Sequence, residues 1–165
     1  MLSYNLAKRN KNQFNSLTGM IEEEFEFLHN SYVVQWENFI SRFTIDRKER
    51  TRPYRSRKDS QLPTTEDQLL FILHYLKGNT IQEHHAATYG MTQPLANIWI
   101  HLLLELLYKT LKSLDHLPER RASRIKELLT KVSEVYIDGT ERDIQRSGDY
   151  EEQEEHFSGK KKPTK

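Results

Sequence analysis

Cysteine is missing from all 165 residues, which removes disulfides and thiolate metal sites and fits a reducing compartment. Long apolar runs are missing too: nothing approaches the roughly 18 residues that a membrane-spanning helix needs, so no membrane partner is expected. The opening MLSYNLAKRNKNQ lacks the apolar core of a signal peptide, and the expected setting is the cytoplasm, associated with the nucleoid if DNA is the partner. A dominant charge of one sign is also lacking. The formal value is +1, but acidic residues gather near both ends and basic ones between them, so the average hides the segments that matter. What is present, 36% hydrophobic and 30% charged residues, suffices for one domain or two small ones with modest cores.

The most informative stretch runs from Leu62 to Leu114, LPTTEDQLLFILHYLKGNTIQEHHAATYGMTQPLANIWIHLLLELLYKTLKSL, three apolar-periodic runs broken at Gly78-Asn79 and Tyr89-Gly90-Met91. That is a helix-turn-helix pattern. In the third run Leu95, Ile98, Trp99, Leu102, Leu103, Leu106 and Leu107 recur at helical spacing and commit one stripe to packing. Thr92 suits its N-cap, Pro94 its first turn and Gly90 a preceding turn with positive φ. The first run predicts a helix from Thr64 or Thr65 to Gly78 that buries Leu69, Leu70, Ile72, Leu73 and Leu76. The second spans about Thr80 to Thr88. Its Glu83-His84-His85 does not read as a metal site, because adjacent helical residues point roughly 100° apart and no HExxH spacing occurs. His101 and His116 have no companions at ligand spacing and read as surface or packing residues.

The start of the third helix is polar and free of acidic residues, which suits entry into a DNA major groove. There Thr92, Gln93 and Asn97 would meet base edges: Gln and Asn amides can pair two-pronged with adenine, and Thr offers a hydroxyl and a methyl. An ordinary three-helix bundle shares this spacing, with the same residues only capping and solvating, so both readings stand at this point.

Upstream, Met1 to Gln13 reads as a loose polar leader. Ile21, Phe25, Leu28, Tyr32, Trp36, Phe39, Ile40 and Phe43 then predict a long amphipathic helix reaching Arg42 to Thr44, capped by Thr18, with Glu22, Glu23 and Glu24 at its positive end. Its aromatic stripe reads as core. The composition then changes to RFTIDRKERTRPYRSRK, where Arg42, Arg47, Lys48, Arg50, Arg52, Arg55, Arg57 and Lys58 stand against Asp46 and Glu49. Pro53 interrupts any helix and too little is apolar to build a core, so a flexible basic arm is expected. Clustered positive charge is the footprint of nucleic-acid binding, and Arg50, Arg52, Arg55, Arg57 and Lys58 would lie along phosphates or enter the minor groove. The alternative is a solvated linker.

Past Pro118, Ile125, Leu128, Leu129 and Val132 predict a helix from Arg124 to Ser133. Val135-Tyr136-Ile137-Asp138-Gly139 then turns β-prone and ends in an acid and a glycine, as a buried strand does when it delivers a carboxylate to a sheet edge. The remainder is polar, with an acidic patch from Asp149 to Glu155 and a basic finish at Lys160, Lys161 and Lys162.

DGTERDIQRSGDYEEQEEHFSGKKKPTK resembles the segment around the first catalytic aspartate of bacterial insertion-sequence transposases of the DDE class, which read DGTE-x-x-IQRP…YSGKKK-x-HT. LPTTEDQLLFILHYLK…YGMTQPLANIWIHLLL is similar to the helix-turn-helix region that precedes their catalytic domain, and the Arg-rich linker and FNSLTGMIEEEFEFL also fit. The resemblance covers nearly the whole chain. It implies that Asp138 is the first carboxylate of a catalytic triad, a metal ligand on the opening strand of a ribonuclease-H-like fold. Ser147 stands where that family usually has proline, and Pro163-Thr164 lacks its histidine. The family's other two triad carboxylates fall after the SGKKK segment. Asp143, Asp149 and the Glu151 to Glu155 run do not match the triad. Two-metal phosphoryl chemistry needs several carboxylates to hold its divalent ions, so magnesium is expected only for a complete enzyme.

The expectation is a mainly α protein with four parts: an N-terminal helical segment over 1–45, a basic linker over 46–61, a helix-turn-helix DNA-binding module over 62–117, and a connecting helix with the truncated start of a ribonuclease-H-like α/β domain over 118–165. As the DNA-binding N-terminal part of a DDE transposase, it would recognise double-stranded terminal repeats of the element in transposition. Two alternatives stay open. One is an active transposase or nuclease completed by a frameshift or a partner chain. The other is a helical interaction module without DNA binding, in which the aromatic N-terminal helix supports a homo-oligomer.

Overall fold

The computed structural model describes residues 1–55, 60–118 and 122–130. Three short capping events build its N-terminal part. Ser3 accepts a hydrogen bond from the Leu6 amide and opens α1 (Tyr4–Ala7), and Asn10 accepts from the amides of Asn12 and Gln13 and opens α2 (Lys11–Thr18). Gly19, at φ 75°, ends α2 in the left-handed region where a side chain would be strained. The expected loose leader is therefore two helices. Ala7 and Phe14 are buried, and Tyr4, Phe14 and Phe25 pack ring against ring, which holds this polar-looking segment down through three apolar anchors.

The long helix α3 runs unbroken over Glu22–Ile40, with Glu22, Glu23 and Glu24 in its first turn. Thr18 does not cap it. The Thr18 hydroxyl donates to the Phe14 carbonyl and accepts from the Met20 amide, closing α2, while Glu24 reaches back to the Ile21 amide to open α3. Phe25, Leu28, Tyr32, Trp36 and Ile40 make its buried stripe.

The next three helices are α4 (Thr65–Gly78), α5 (Gln82–Thr88) and α6 (Gln93–Ser113). Thr64 caps α4 by accepting from the Asp67 amide, and Asn79 ends it at φ 45°. Leu69, Leu70, Phe71 and Ile72 are all fully buried, so α4 is enclosed over more than one face; Leu76, expected inside, is instead exposed beyond the edge of that contact. Helix α6 contributes Ala96, Trp99, Ile100, Leu102, Leu103, Leu106 and Leu107.

Met1–Pro118 forms one unit, so the N-terminal helices and the helix-turn-helix share a core. Helices α3 and α6 run antiparallel: Trp36 stacks on Trp99 at 6.0 Å near one end, and Phe27 lies 6.2 Å from His116 past the other. Helices α1, α2 and α3 all pack on α4. Asp67, itself buried, accepts from the Tyr4 amide at 2.8 Å and from the Thr64 hydroxyl, and the Tyr32 hydroxyl donates to Gln68 Oε1 at 3.1 Å. These buried bonds fix the docking because an unpaired polar group there would cost about 1–3 kcal/mol.

In the second unit the described residues hold α7 (Ala122–Leu129), with Ile125, Leu128 and Leu129 exposed; residues 131–133 of the expected helix from Arg124 to Ser133 lie outside the described residues. The expected strand at 135–139, and with it the start of a ribonuclease-H-like domain, lies outside the described residues. Among the described residues the one β feature is an isolated antiparallel bridge between Phe43 and Glu49.

Candidate nucleic-acid interface

Four residues, Tyr89 to Thr92, connect α5 to α6. Gly90 takes φ 65°, and the amides of Gly90 and Met91 return to the carbonyls of Ala87 and Ala86. Tyr89 is fully buried and fixes the turn from within. The first turn of α6 then emerges with Thr92 and Gln93 exposed and Asn97 half-buried. Thr92 occupies the N-cap position as expected, but its hydroxyl makes no capping hydrogen bond.

Gln93 and Asn97, four residues apart, share a face of the helix. They are joined by a residue that sequence reasoning missed. Gln82, the first residue of α5, accepts from Gln93 Nε2 at 2.8 Å and donates through its own Nε2 to Asn97 Oδ1 at 3.1 Å. Nothing in the chain's order marks Gln82; only the α5 to α6 turn brings it to the other two.

Three residues beyond Gln82, α5 carries a buried histidine. His85 faces the Phe71 carbonyl through Nε2 at 3.1 Å, and since a carbonyl only accepts, Nε2 carries the proton. Its Nδ1 is buried without a partner. Burial lowers its pKa to about 4, helped by the neighbouring His74, so the ring is neutral. His85 packs against Phe71 and Tyr89 at 4.4 and 5.1 Å, as a core residue between α4 and α5. Among the described residues, no group of three or more His, Asp or Glu is placed to hold a metal ion.

The basic segment departs from the expected flexible arm. The Phe43 to Glu49 bridge, the Thr44 amide bonded to the Lys48 carbonyl and the Arg50 amide bonded to the Arg42 carbonyl fold it into a tight loop, with Arg47 at φ 60°. Arg47 pairs with Glu105 at 3.0 Å and donates to the His101 carbonyl, tying the loop to α6. Lys109, and with it Arg47, holds the Glu105 carboxyl below its usual pKa. Arg50 donates to the Phe43 carbonyl and lies over the Tyr54 ring, and Tyr54 meets Trp36 edge-on at 6.1 Å. The loop is therefore carried by Trp36, the residue that also supports Trp99 of α6. The space of about 550 Å³ between this loop and the end of α3 has Glu37 on its wall, which gives it mixed charge and speaks against an anion pocket.

Of the expected phosphate contacts, Arg52 and Arg55 are exposed, Arg50 is half-buried and engaged within the protein, and Arg57 and Lys58 lie outside the described residues. Asp138, the expected catalytic and metal-binding carboxylate, also lies outside them.

Helices α4, α5 and α6 thus make a helix-turn-helix module, buttressed by α1, α2 and α3. Residues 60–113 match the family model described as the helix-turn-helix of DDE superfamily endonuclease; the match begins just before α4 and stops at the last residue of α6. No curated protein and no solved structure matches the chain. Among the described residues no helix is long and apolar enough to cross a membrane.

Proposed function

We propose that this chain binds double-stranded DNA as the end-recognising part of a DDE transposase of the bacterial insertion-sequence kind, with the first turn of α6 in the major groove. The observation that carries the reading is the match of 60–113 to the helix-turn-helix of DDE superfamily endonuclease, over the same helices that leave Thr92, Gln93 and Asn97 without an acidic neighbour in that turn. A helix N-terminus of this composition offers amides to base edges and a positive dipole end to phosphates. Arg52 and Arg55, with Arg57 and Lys58, supply sequence-independent contacts to the backbone. Asp138 is proposed, on the strength of its DGTE context alone, as a carboxylate of the family's magnesium-dependent endonuclease site.

The test is a titration with a mixed-sequence duplex at about 50 and 200 mM salt. Counterion release predicts affinity falling steeply between the two concentrations. Binding that is absent, or indifferent to salt, would instead point to a helical interaction module.

A further inference from the structure

We infer that Gln82 is a positioning residue for base recognition, which sets the direction in which the amides of Gln93 and Asn97 face a duplex. This deepens the DNA-reading role proposed above and rests on it. The three side chains form one relay: Gln93 Nε2 donates to Gln82 Oε1 at 2.8 Å, and Gln82 Nε2 donates to Asn97 Oδ1 at 3.1 Å. An amide has two distinguishable ends, so turning one member alone would set oxygen against oxygen or nitrogen against nitrogen. The two groups on α6 are therefore coupled through a residue of α5.

In the direction the relay takes here, the coupling sets what points outward. Gln93 keeps its carbonyl oxygen and its second N–H, the acceptor and donor pair that matches the N6 and N7 edge of adenine. Asn97 has its oxygen engaged and presents its two N–H groups, which suit an acceptor-bearing edge such as N7 and O6 of guanine. A carboxylate at position 82 would only accept. It would leave Gln93 as it is and turn Asn97 so that N–H faces inward and oxygen outward, towards a donor-bearing edge such as N4 of cytosine.

The experiment selects preferred sites from duplexes with a randomised core, using the full chain and its Gln82→Glu and Gln82→Met variants. Comparing positions within each selected motif cancels any uniform loss of affinity from the added charge. Gln82→Glu is expected to exchange an acceptor-bearing for a donor-bearing base at one position by about tenfold, with the other position unchanged. Gln82→Met, which removes both bonds without adding charge, is expected to flatten both positions several-fold. One motif from all three proteins overturns the positioning role and leaves DNA reading intact. A parent chain that selects no motif overturns the reading face, and the role of Gln82 with it. Amide spectra of the free chain test the relay apart from DNA: Gln82→Met should shift the side-chain signals of Gln93 and Asn97, and unmoved signals overturn it.

Discussion

The basic loop and the first turn of α6 carry comparable promise as DNA contacts, yet the fold treats them differently. In the loop, Arg47 is engaged by Glu105 and the His101 carbonyl, and Arg50 by the Phe43 carbonyl and the Tyr54 ring. At the start of α6, Gln93 and Asn97 are joined through Gln82, and each keeps amide groups outside that relay. Counting cations thus overstates what the loop offers to phosphate. Counting amides omits what orients them.

Both regions rest on Trp36, which touches Tyr54 of the loop and Trp99 of α6 and is 4% exposed. The largest expected effect is therefore from Trp36→Ala, which should cost about 3–5 kcal/mol in urea unfolding. A loss under about 1 kcal/mol would break the claim that the two regions share a support.

Acid should have the next largest effect. The folded pKa of His85 is lowered to about 4 from 6.5, so the unfolded chain binds the extra proton as the pH falls through that window. Stability is then full above about pH 6.5 and declines by about 3 kcal/mol towards pH 4. His29 and His74, lowered by burial, add in the same direction. Unfolding midpoints at pH 7, 5 and 4 check this, and a flat profile would remove His85 from the neutral core beneath α5.

Smaller changes sharpen the contrast in DNA binding. Arg52→Gln with Arg55→Gln should weaken every duplex alike by about three- to tenfold and reduce the salt slope by about one per lost contact. Gln93→Ala should instead alter preference among duplexes more than mean affinity, measured on the same panel. The smallest effect is expected from Glu105→Gln, since its pair with Arg47 is exposed and such pairs contribute about 0–1 kcal/mol. A thermal scan showing a larger loss would mean that the loop depends on that pair rather than on Trp36.

The helix-turn-helix was legible because its signals are local. Thr64, Asn79, Gly90 and the periodic leucines of α6 act within a turn of where they stand, and α4 and α6 begin within a residue of expectation. The long helix α3 was legible from its apolar spacing, but α1 and α2 were not, because α1 has four residues and is held by Phe14, Phe25 and the distant Asp67 rather than by its own pattern. The basic loop misled for a related reason: its order comes from a bridge between Phe43 and Glu49 and from Tyr54 packing on Trp36, while Arg47 is taken up by Glu105, more than fifty residues away.

By itself, then, the sequence determined where the helices of the module start and stop, since caps, glycines and apolar spacing act between near neighbours along the chain. Only the tertiary structure decided which arginines remain free, where the leader docks and which residue orients the amides of α6. Those outcomes depend on partners distant in sequence, and pairing across such distances is set by how whole helices pack rather than by any local preference.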